Sequence, residues 1–124
     1  MNDNNNIQTI NIAEKLISLN VYRNAHHFKL NQIKTDWTKL IKLETIKQKI
    51  QPVKKCDLIF TFNFADHRKR DLDNYSATIK FILDGLVHSR ILEDDNYKIV
   101  RSITILKGKI GKEFVKIEIC EVIE

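Results

Sequence analysis

The chain has 124 residues and a mass of 14.6 kDa, which is enough for one compact domain but not for two ordinary cores. Its composition, 43% hydrophobic and 30% charged, is that of a globular protein, and it contains no stretch of about 20 apolar residues that would span a bilayer. The net charge of +5 favours a polyanionic partner, because neutralising phosphates releases counterions. We therefore expect one domain over residues 1–124 and no membrane association.

The amino-terminal segment and the cysteines indicate the cellular setting. Residues 1–6 are polar and rich in asparagine, without the basic and then apolar layout of a signal peptide, so we expect a disordered start and a cytoplasmic protein. Cys56 and Cys120 lie inside apolar segments without a CxxC or histidine partner at metal-binding spacing, which predicts buried free thiols. The sequence contains no glycine-rich phosphate loop, so we expect no nucleotide cofactor.

The first half of the chain predicts a short strand and a long helix. Residues 7–12 suit the strand, and a non-helical crossing is expected to begin at residues 18–20. Over residues 31–50 apolar side chains recur at steps of three and four with lysines between them, which predicts a helix with one buried stripe and one basic face. Pro52 ends this helix. The predicted stripe comprises Ile33, Trp37, Leu40, Leu43, Ile46 and Ile50.

The middle of the chain predicts the centre of the sheet and a second helix. Residues 58–64 place a large apolar side chain at every second position, which is the pattern of a strand with one strongly apolar face. A basic loop follows this strand, and an amphipathic pattern then runs to about His88. Asp71 or Asp73 is suited to cap this second helix.

The end of the chain predicts two further strands. Apolar residues alternate over residues 97–105 and again over residues 115–119, and Gly108 and Gly111 between them indicate an antiparallel hairpin. Together the elements predict an α+β fold, in which a small mixed or antiparallel sheet of three to four strands packs against two helices.

Two groups of acidic residues flank the second predicted helix. Asp71 and Asp73 stand where the central strand meets the helix, and an acidic segment at residues 93–95 follows the helix. We expect the chain to return towards the same edge of the sheet, so that this segment supplies a third carboxylate. Mg²⁺ prefers oxygen ligands, and a few aspartates with a substrate phosphate suffice to hold it. The cations at residues 68–70 would offset repulsion between these carboxylates and a DNA backbone.

The same acidic residues have a second interpretation that needs no ligand. Aspartate and asparagine are the residue types that cap helices and form turns, so Asp71 and Asp73 suit a cap and residues 94–96 suit a turn. Short acidic motifs also arise often by chance. Spacing alone therefore favours caps and turns over a metal site.

Around these residues the sequence resembles the RusA family of Holliday junction resolvases, which are small phage- and prophage-associated endonucleases. The resemblance is carried by residues 68–74 (RKRDLDN), residues 80–86 (KFILDGL) and residues 91–95 (ILEDD). Residues 18–23 (SLNVYR) also resemble the amino-terminal segment of the family. The likeness covers most of the chain and is densest over residues 60–105, and the combination of motifs is specific.

The resemblance implies a RusA-like fold and a homodimer that binds four-way DNA junctions and resolves them by paired, symmetric nicks, in DNA recombination and repair. It implies Mg²⁺ as the cofactor, with Mn²⁺ as a substitute. The implied catalytic residues are Asp71, Asp73, Asp95 and Lys80. The implied metal ligands are Asp71, Asp73 and Asp95, with Asp94 as a further candidate. The implied DNA contacts are Arg68, Lys69, Arg70, Arg23 and Asn74.

Lys80 is the position at which the chain departs from the family pattern. This chain has about three more residues between Asn74 and Lys80 than the family pattern has. The seven residues from Asp73 to Lys80 make close to two helical turns of 3.6 residues, so the two side chains are expected on one side of the helix. Lys80 would then lie about one turn, roughly 4 to 5 Å, further from the carboxylates than in the family. Lys69 or Arg70 is the alternative cation for the phosphate.

Symmetry gives an independent reason to expect a homodimer. A four-way junction has approximate two-fold symmetry, and a two-fold dimer presents identical sites to two equivalent strands. The predicted strand at residues 7–12 is the candidate for pairing across the dimer interface. Two alternatives remain: a branched-DNA-binding protein with little or no catalytic activity, and a structural interaction domain whose acidic residues are only caps and turns.

Overall fold

The computed structural model describes residues 6–123, so residues 1–5 of the segment predicted to be disordered (residues 1–6) lie outside the described part of the chain. A 3₁₀ turn (Leu72–Tyr75) precedes the third helix. The strands are β1 (Ile7–Ile12), β2 (Cys56–Phe64), β3 (Val100–Ile110) and β4 (Phe114–Glu121), and the helices are α1 (Leu19–Asn24), α2 (His27–Lys47) and α3 (Ser76–His88).

The strands form one mixed sheet in the order β1-β4-β2-β3. β4 pairs antiparallel with both β1 and β2, and β3 pairs parallel with β2. The α+β prediction and the central place of β2 are confirmed. The predicted antiparallel hairpin between the last two strands is wrong, because β2 lies between β3 and β4.

The two glycines near the end of β3 explain why the hairpin prediction failed. Gly108 lies inside β3, where a Cβ atom would be 2.1 Å from Oδ1 of Asn63. That oxygen accepts a hydrogen bond of 2.8 Å from the backbone N–H of Lys109. Gly111 follows β3 with φ of +146° and donates its N–H to the carbonyl of Phe64 at 2.8 Å. These glycines therefore provide close approach and a positive φ beside β2.

The core lies between one face of the sheet and the helices. Every second residue of β2 is buried, and Leu58, Phe60 and Phe62 are completely so. α2 contributes Trp37, Ile41 and Thr45, one residue per helical turn. Trp37 is thus a core residue, as its spacing predicts.

The predicted stripe of α2 is wrong at two positions. Leu43 and Ile46 are 59% and 68% exposed, because the buried face follows a four-residue step that leaves both on the solvent side. The helix also ends at Lys47 rather than at residue 50. Lys49 adopts a φ of 57°, which reverses the chain and buries Ile50 behind the helix end.

α1 replaces the non-helical crossing expected from residue 18. The Ser18 hydroxyl caps the helix by accepting a hydrogen bond of 3.3 Å from the backbone N–H of Val21. Residues 6–123 therefore contain three α-helices, where two were predicted.

The cysteines are free, as predicted, but only one of them is buried. Cys56 is completely buried on β2, and this burial raises the pKa of its thiol to about 11. Cys120 is half-buried on β4, and burial raises its pKa as well.

α2 and α3 pack closely against each other at Gly85. A Cβ atom at this position would lie 2.8 Å from both Cβ and Cγ1 of Ile41, which is completely buried. The absence of a side chain at Gly85 therefore lets the two helices pack closely.

The Gly85→Ala variant should be less stable than the native chain. Alanine gains about 1 kcal/mol in helix propensity, but an overpacked buried contact costs about 1–3 kcal/mol, so a net loss of about 1 kcal/mol is expected. Urea denaturation measures the free energy of unfolding. His88→Ala, an exposed position on the same helix, should change it by less than about 0.5 kcal/mol. Equal or higher stability of Gly85→Ala would contradict the contact.

Candidate functional site

Asp71 and Asp73 lie beyond the carboxyl end of β2, at the 3₁₀ turn. Asp71 occupies the cap position of this turn, but its side chain makes no capping hydrogen bond; its backbone carbonyl accepts from the N–H of Asn74 at 3.0 Å. Both aspartates are exposed, and within residues 6–123 neither carboxylate accepts a hydrogen bond or pairs with a cation. The capping interpretation therefore does not account for these side chains, and both carboxylates are available to a ligand.

The basic loop, residues 65–71, holds its shape through Arg70. The guanidinium lies 4.6 Å from the ring centre of Phe64 and donates to Oδ1 of Asp66 at 2.8 Å. It also donates to the backbone carbonyl of Arg68 at 3.0 Å. The Arg70 side chain is only 15% exposed, so its guanidinium interacts mainly with groups of the loop and little with the solvent.

Asp66 pairs with both arginines of the basic loop, since its carboxylate also lies 3.4 Å from Nε of Arg68. The backbone N–H of Arg68 donates to its carboxylate at 3.0 Å, and this bond, together with the one from Arg70, lowers the pKa of Asp66. The Arg68 side chain is 80% exposed, and Lys69 is exposed as well. Among the predicted DNA contacts in this loop, Arg68 and Lys69 thus remain accessible to a phosphate.

A surface cavity of about 540 Å³ opens beside the basic loop and the end of β3. Lys69 and Lys107 line it with positive charge, and Leu72 and Ile110 give it an apolar part. Positive side chains around an apolar surface suit a nucleic acid, because phosphates meet the charges and a sugar or base meets the apolar part.

α1, which carries the exposed Arg23, is held against α3 and the 3₁₀ turn. The Thr78 hydroxyl accepts from the N–H of Ile17 at 2.8 Å and donates to the carbonyl of Ile17 at 2.9 Å. Thr78 is completely buried on α3, so this clamp fixes the segment that leads into α1. Tyr22 on α1 contacts Phe81 with ring centres 6.0 Å apart, and α1 also contacts the 3₁₀ turn. Sequence reasoning missed Thr78, whose only signal is a threonine at an apolar position of the helix.

The acidic turn, residues 93–96, lies at the opposite end of the sheet from Asp71 and Asp73. The backbone N–H of Val100 donates to the carbonyl of Asn96 at 2.8 Å, and Val100 is aligned with Cys56, the first residue of β2. The Asp94 carboxylate is used within the turn, since it accepts from the N–H of Asp95 at 2.7 Å and from the Asn96 amide at 2.9 Å. Asp95 is exposed, and its carboxylate makes no such bond.

The predicted three-carboxylate site is therefore not assembled within one chain. α3, with 13 residues, separates the two acidic groups by roughly 20 Å at 1.5 Å per residue. The described residues 6–123 contain no group of three acidic, histidine or cysteine side chains arranged to hold a metal. Asp71 and Asp73 supply two carboxylates, the ligand type that Mg²⁺ prefers, but Asp95 of the same chain does not join them. The expected return of the chain fails because β3 is parallel to β2 and starts at its amino end.

Lys80 is exposed on α3 and makes no ion pair with Asp71 or Asp73 among the described residues. α3 begins only at Ser76, after the 3₁₀ turn. Asp73 and Lys80 are therefore not joined by the two continuous α-helical turns that were expected, because a 3₁₀ turn has 3.0 residues per turn rather than 3.6. The catalytic role of Lys80 stays a prediction.

In a comparison with known proteins, no family model and no curated protein matches the chain. None of the helices within residues 6–123 has the length and apolar character needed to cross a bilayer.

The Thr78→Val variant tests the clamp that holds α1. Valine has the shape of threonine but cannot bond the N–H and carbonyl of Ile17, so a loss of about 1–3 kcal/mol in the free energy of unfolding is expected. The matched control is Thr35→Val, whose hydroxyl donates to Asn31 on the exposed face of α2. It should cost less than about 0.5 kcal/mol in urea denaturation. Equal losses in the two variants would contradict the clamp.

Proposed function

We propose that this chain is a cytoplasmic, Mg²⁺-dependent endodeoxyribonuclease that cuts four-way DNA junctions by paired nicks, in recombination and repair. The observation that carries the proposal is the pair of unengaged carboxylates, Asp71 and Asp73, beyond the end of the central strand and next to a loop with exposed cations. The sequence motifs shared with the RusA family point to the same residues and supply the junction as substrate.

Each group near the carboxylates has a defined task in this proposal. Asp71 and Asp73 hold the metal, which when bound lowers the pKa of an attacking water and stabilises charge on the phosphate. Arg68 and Lys69 bind the flanking phosphates of the substrate strand. Arg70 keeps the loop in place from within and so acts as a positioning residue.

A second candidate function is binding of branched DNA without cleavage. The observation that favours it is the absence of a three-ligand metal group within the described residues of one chain. Binding alone requires only the exposed cations and a complementary shape, and it would persist without metal.

The first test is cleavage of a synthetic four-way junction by the native chain in Mg²⁺, with EDTA as the metal-free condition. We expect nicking in Mg²⁺ only. Asp73→Asn should lower the nicking rate by about 100-fold or more, the scale on which removal of one preorganised electrostatic group acts. Asp36→Asn, an exposed position on α2, is the control and should keep the native rate.

The outcomes of this test separate the two candidate functions. A gel shift of the junction without any nicking would support the binding protein and end the nuclease proposal. Equal nicking by Asp73→Asn and the native chain would remove Asp73 from the site. Absence of both binding and nicking would contradict both candidates.

A second test concerns the phosphate contact of Lys69. Lys69→Ala should weaken junction binding and reduce the slope of log affinity against log salt concentration by about one. Lys47→Ala removes an exposed lysine from the last turn of α2, close to Gln48, which bonds to β1 at the other edge of the sheet, and should leave the slope unchanged. Fluorescence anisotropy over a range of salt concentrations measures both slopes, and equal slopes for the two variants would contradict the contact.

A further inference from the structure

Three aromatic side chains lie side by side on the surface where α1 ends and α2 begins. His26, His27 and Phe28 are all exposed, and Phe28 is 72% exposed. The ring centres of His26 and His27 are 4.4 Å apart, and those of His27 and Phe28 are 4.2 Å apart. The three rings therefore form one exposed group, called here the aromatic cluster.

Phe28 is kept out of the core, in contrast to most phenylalanines of the chain. Four of the other five are at most 5% exposed, namely Phe60, Phe62, Phe64 and Phe81. Phe28 and Trp37 lie nine residues apart on α2, which is about two and a half turns and places them on opposite faces of the helix. Trp37 faces the core, so α2 cannot turn Phe28 inwards without exposing Trp37.

A hydrogen bond fixes the first ring of the aromatic cluster. Nδ1 of His26 accepts a hydrogen bond of 3.3 Å from the backbone N–H of Phe28. The ring centres of these two residues are 5.3 Å apart, with an angle of 29° between their planes. A ligand that stacks on the cluster therefore meets side chains that already contact one another, which reduces the entropy lost on binding.

The charged residues close in sequence to the aromatic cluster are all basic. Residues 15–35, between Glu14 and Asp36, contain no aspartate or glutamate and four cations, namely Lys15, Arg23, Lys29 and Lys34. Arg23 and Lys29, on either side of the cluster, are exposed. Flat rings beside cations suit single-stranded nucleic acid, because bases stack on the rings and phosphates bind the cations.

The aromatic cluster and the candidate site lie within reach of one strand. α1 contacts the 3₁₀ turn that contains Asp73, and the cluster begins two residues after α1 ends. The six residues of α1 span about 9 Å at 1.5 Å per residue, so the cluster lies within roughly 25 Å of the turn. Several nucleotides of a stacked strand cover this distance at about 3.4 Å each.

We propose that the aromatic cluster stacks an unpaired base of a DNA strand, with Arg23 and Lys29 on the neighbouring phosphates. The stacking follows from the exposed rings and the charges. The source of the base, the branch point of a DNA junction, rests in addition on the proposed function. The cluster thereby distinguishes branched from duplex DNA, because the bases inside a duplex are stacked on both faces and offer no free face.

Fluorescence of 2-aminopurine tests the stacking, since this base loses emission when it stacks on a ring. The probe is a single-stranded oligonucleotide with one central 2-aminopurine, titrated with the full chain in EDTA so that metal-dependent cleavage is prevented. The native chain should quench the probe. Phe28→Ala should remove most of the quenching and raise the dissociation constant by about fivefold to a hundredfold, the range for loss of one stacked ring.

Three further variants serve as controls. Phe28→Tyr keeps a ring at the same position and should quench like the native chain. Phe28→Leu keeps an apolar side chain without a ring and should behave like Phe28→Ala. Tyr97→Ala removes an aromatic residue that is 79% exposed beside the acidic turn, so it should change neither quenching nor affinity. Circular dichroism checks that the variants are folded.

Three results would overturn the stacking proposal. They are absence of quenching by the native chain, equal quenching by Phe28→Ala, and native quenching and affinity in Phe28→Leu. The last result would indicate that position 28 needs only an apolar side chain, as in a contact with a protein partner.

A second probe tests the source of the base. It is a four-way junction with one unpaired 2-aminopurine at its branch point. The native chain and Asp73→Asn should quench it equally, because the carboxylates take no part in stacking, and Phe28→Ala should not. Quenching of the single strand but not of the junction would remove the branch point as the source.

The failures of the two proposals are distinguishable. If the native chain nicks a four-way junction in Mg²⁺ but quenches neither probe, the stacking proposal is wrong while the nuclease function stands. If the native chain quenches the probes through Phe28 but does not nick, the nuclease proposal fails and the stacking stands.

Discussion

Parallel pairing between β2 and β3 determines where the charged groups of this chain lie. Parallel strands cannot be joined by a tight turn, so the chain must cross back over the sheet, and here the 3₁₀ turn and α3 make that crossing. The chain leaves the sheet at the carboxyl end of β2 through the basic loop and Asp71. It returns at the amino end through the acidic turn. Two charged segments that are near in sequence are thereby held at opposite ends of one edge.

The sequence predicts those features of the fold that depend on local periodicity. The alternation along β2 and the helical spacing before His88 each reflect a buried face, so the elements were recognisable. The insertion of β4 between β1 and β2 could not be recognised in the sequence, because strand order depends on pairing between segments that lie far apart in the sequence. Gly108 indicated a hairpin turn wrongly for the same reason. A glycine is needed there because Asn63 of the neighbouring strand lies close to its backbone.

The position of Asp71 and Asp73 in the fold was predictable from the sequence, but their position relative to Asp95 was not. Asp71 and Asp73 stand where the sequence places them, at the junction after the central strand. The distance between these two aspartates and Asp95 could not be predicted, because spacing along the sequence does not show in which direction a crossover runs. The sequence also did not distinguish Arg70 from Lys69, because only the structure shows which of these two adjacent cations packs on Phe64.

The place of β4 inside the sheet has a consequence for how the chain is made. β1 has β4 as its neighbour in the sheet, yet β4 is the last of the elements that the structure describes within residues 6–123. A ribosome therefore exposes the apolar residues Ile10 and Ile12 long before their neighbours Val115 and Ile117 have been synthesised. During that interval the segment is open to wrong partners, and long-range pairing of this kind is slow to form. Efficient production of the protein thus favours conditions that keep nascent chains apart until synthesis of β4 is complete.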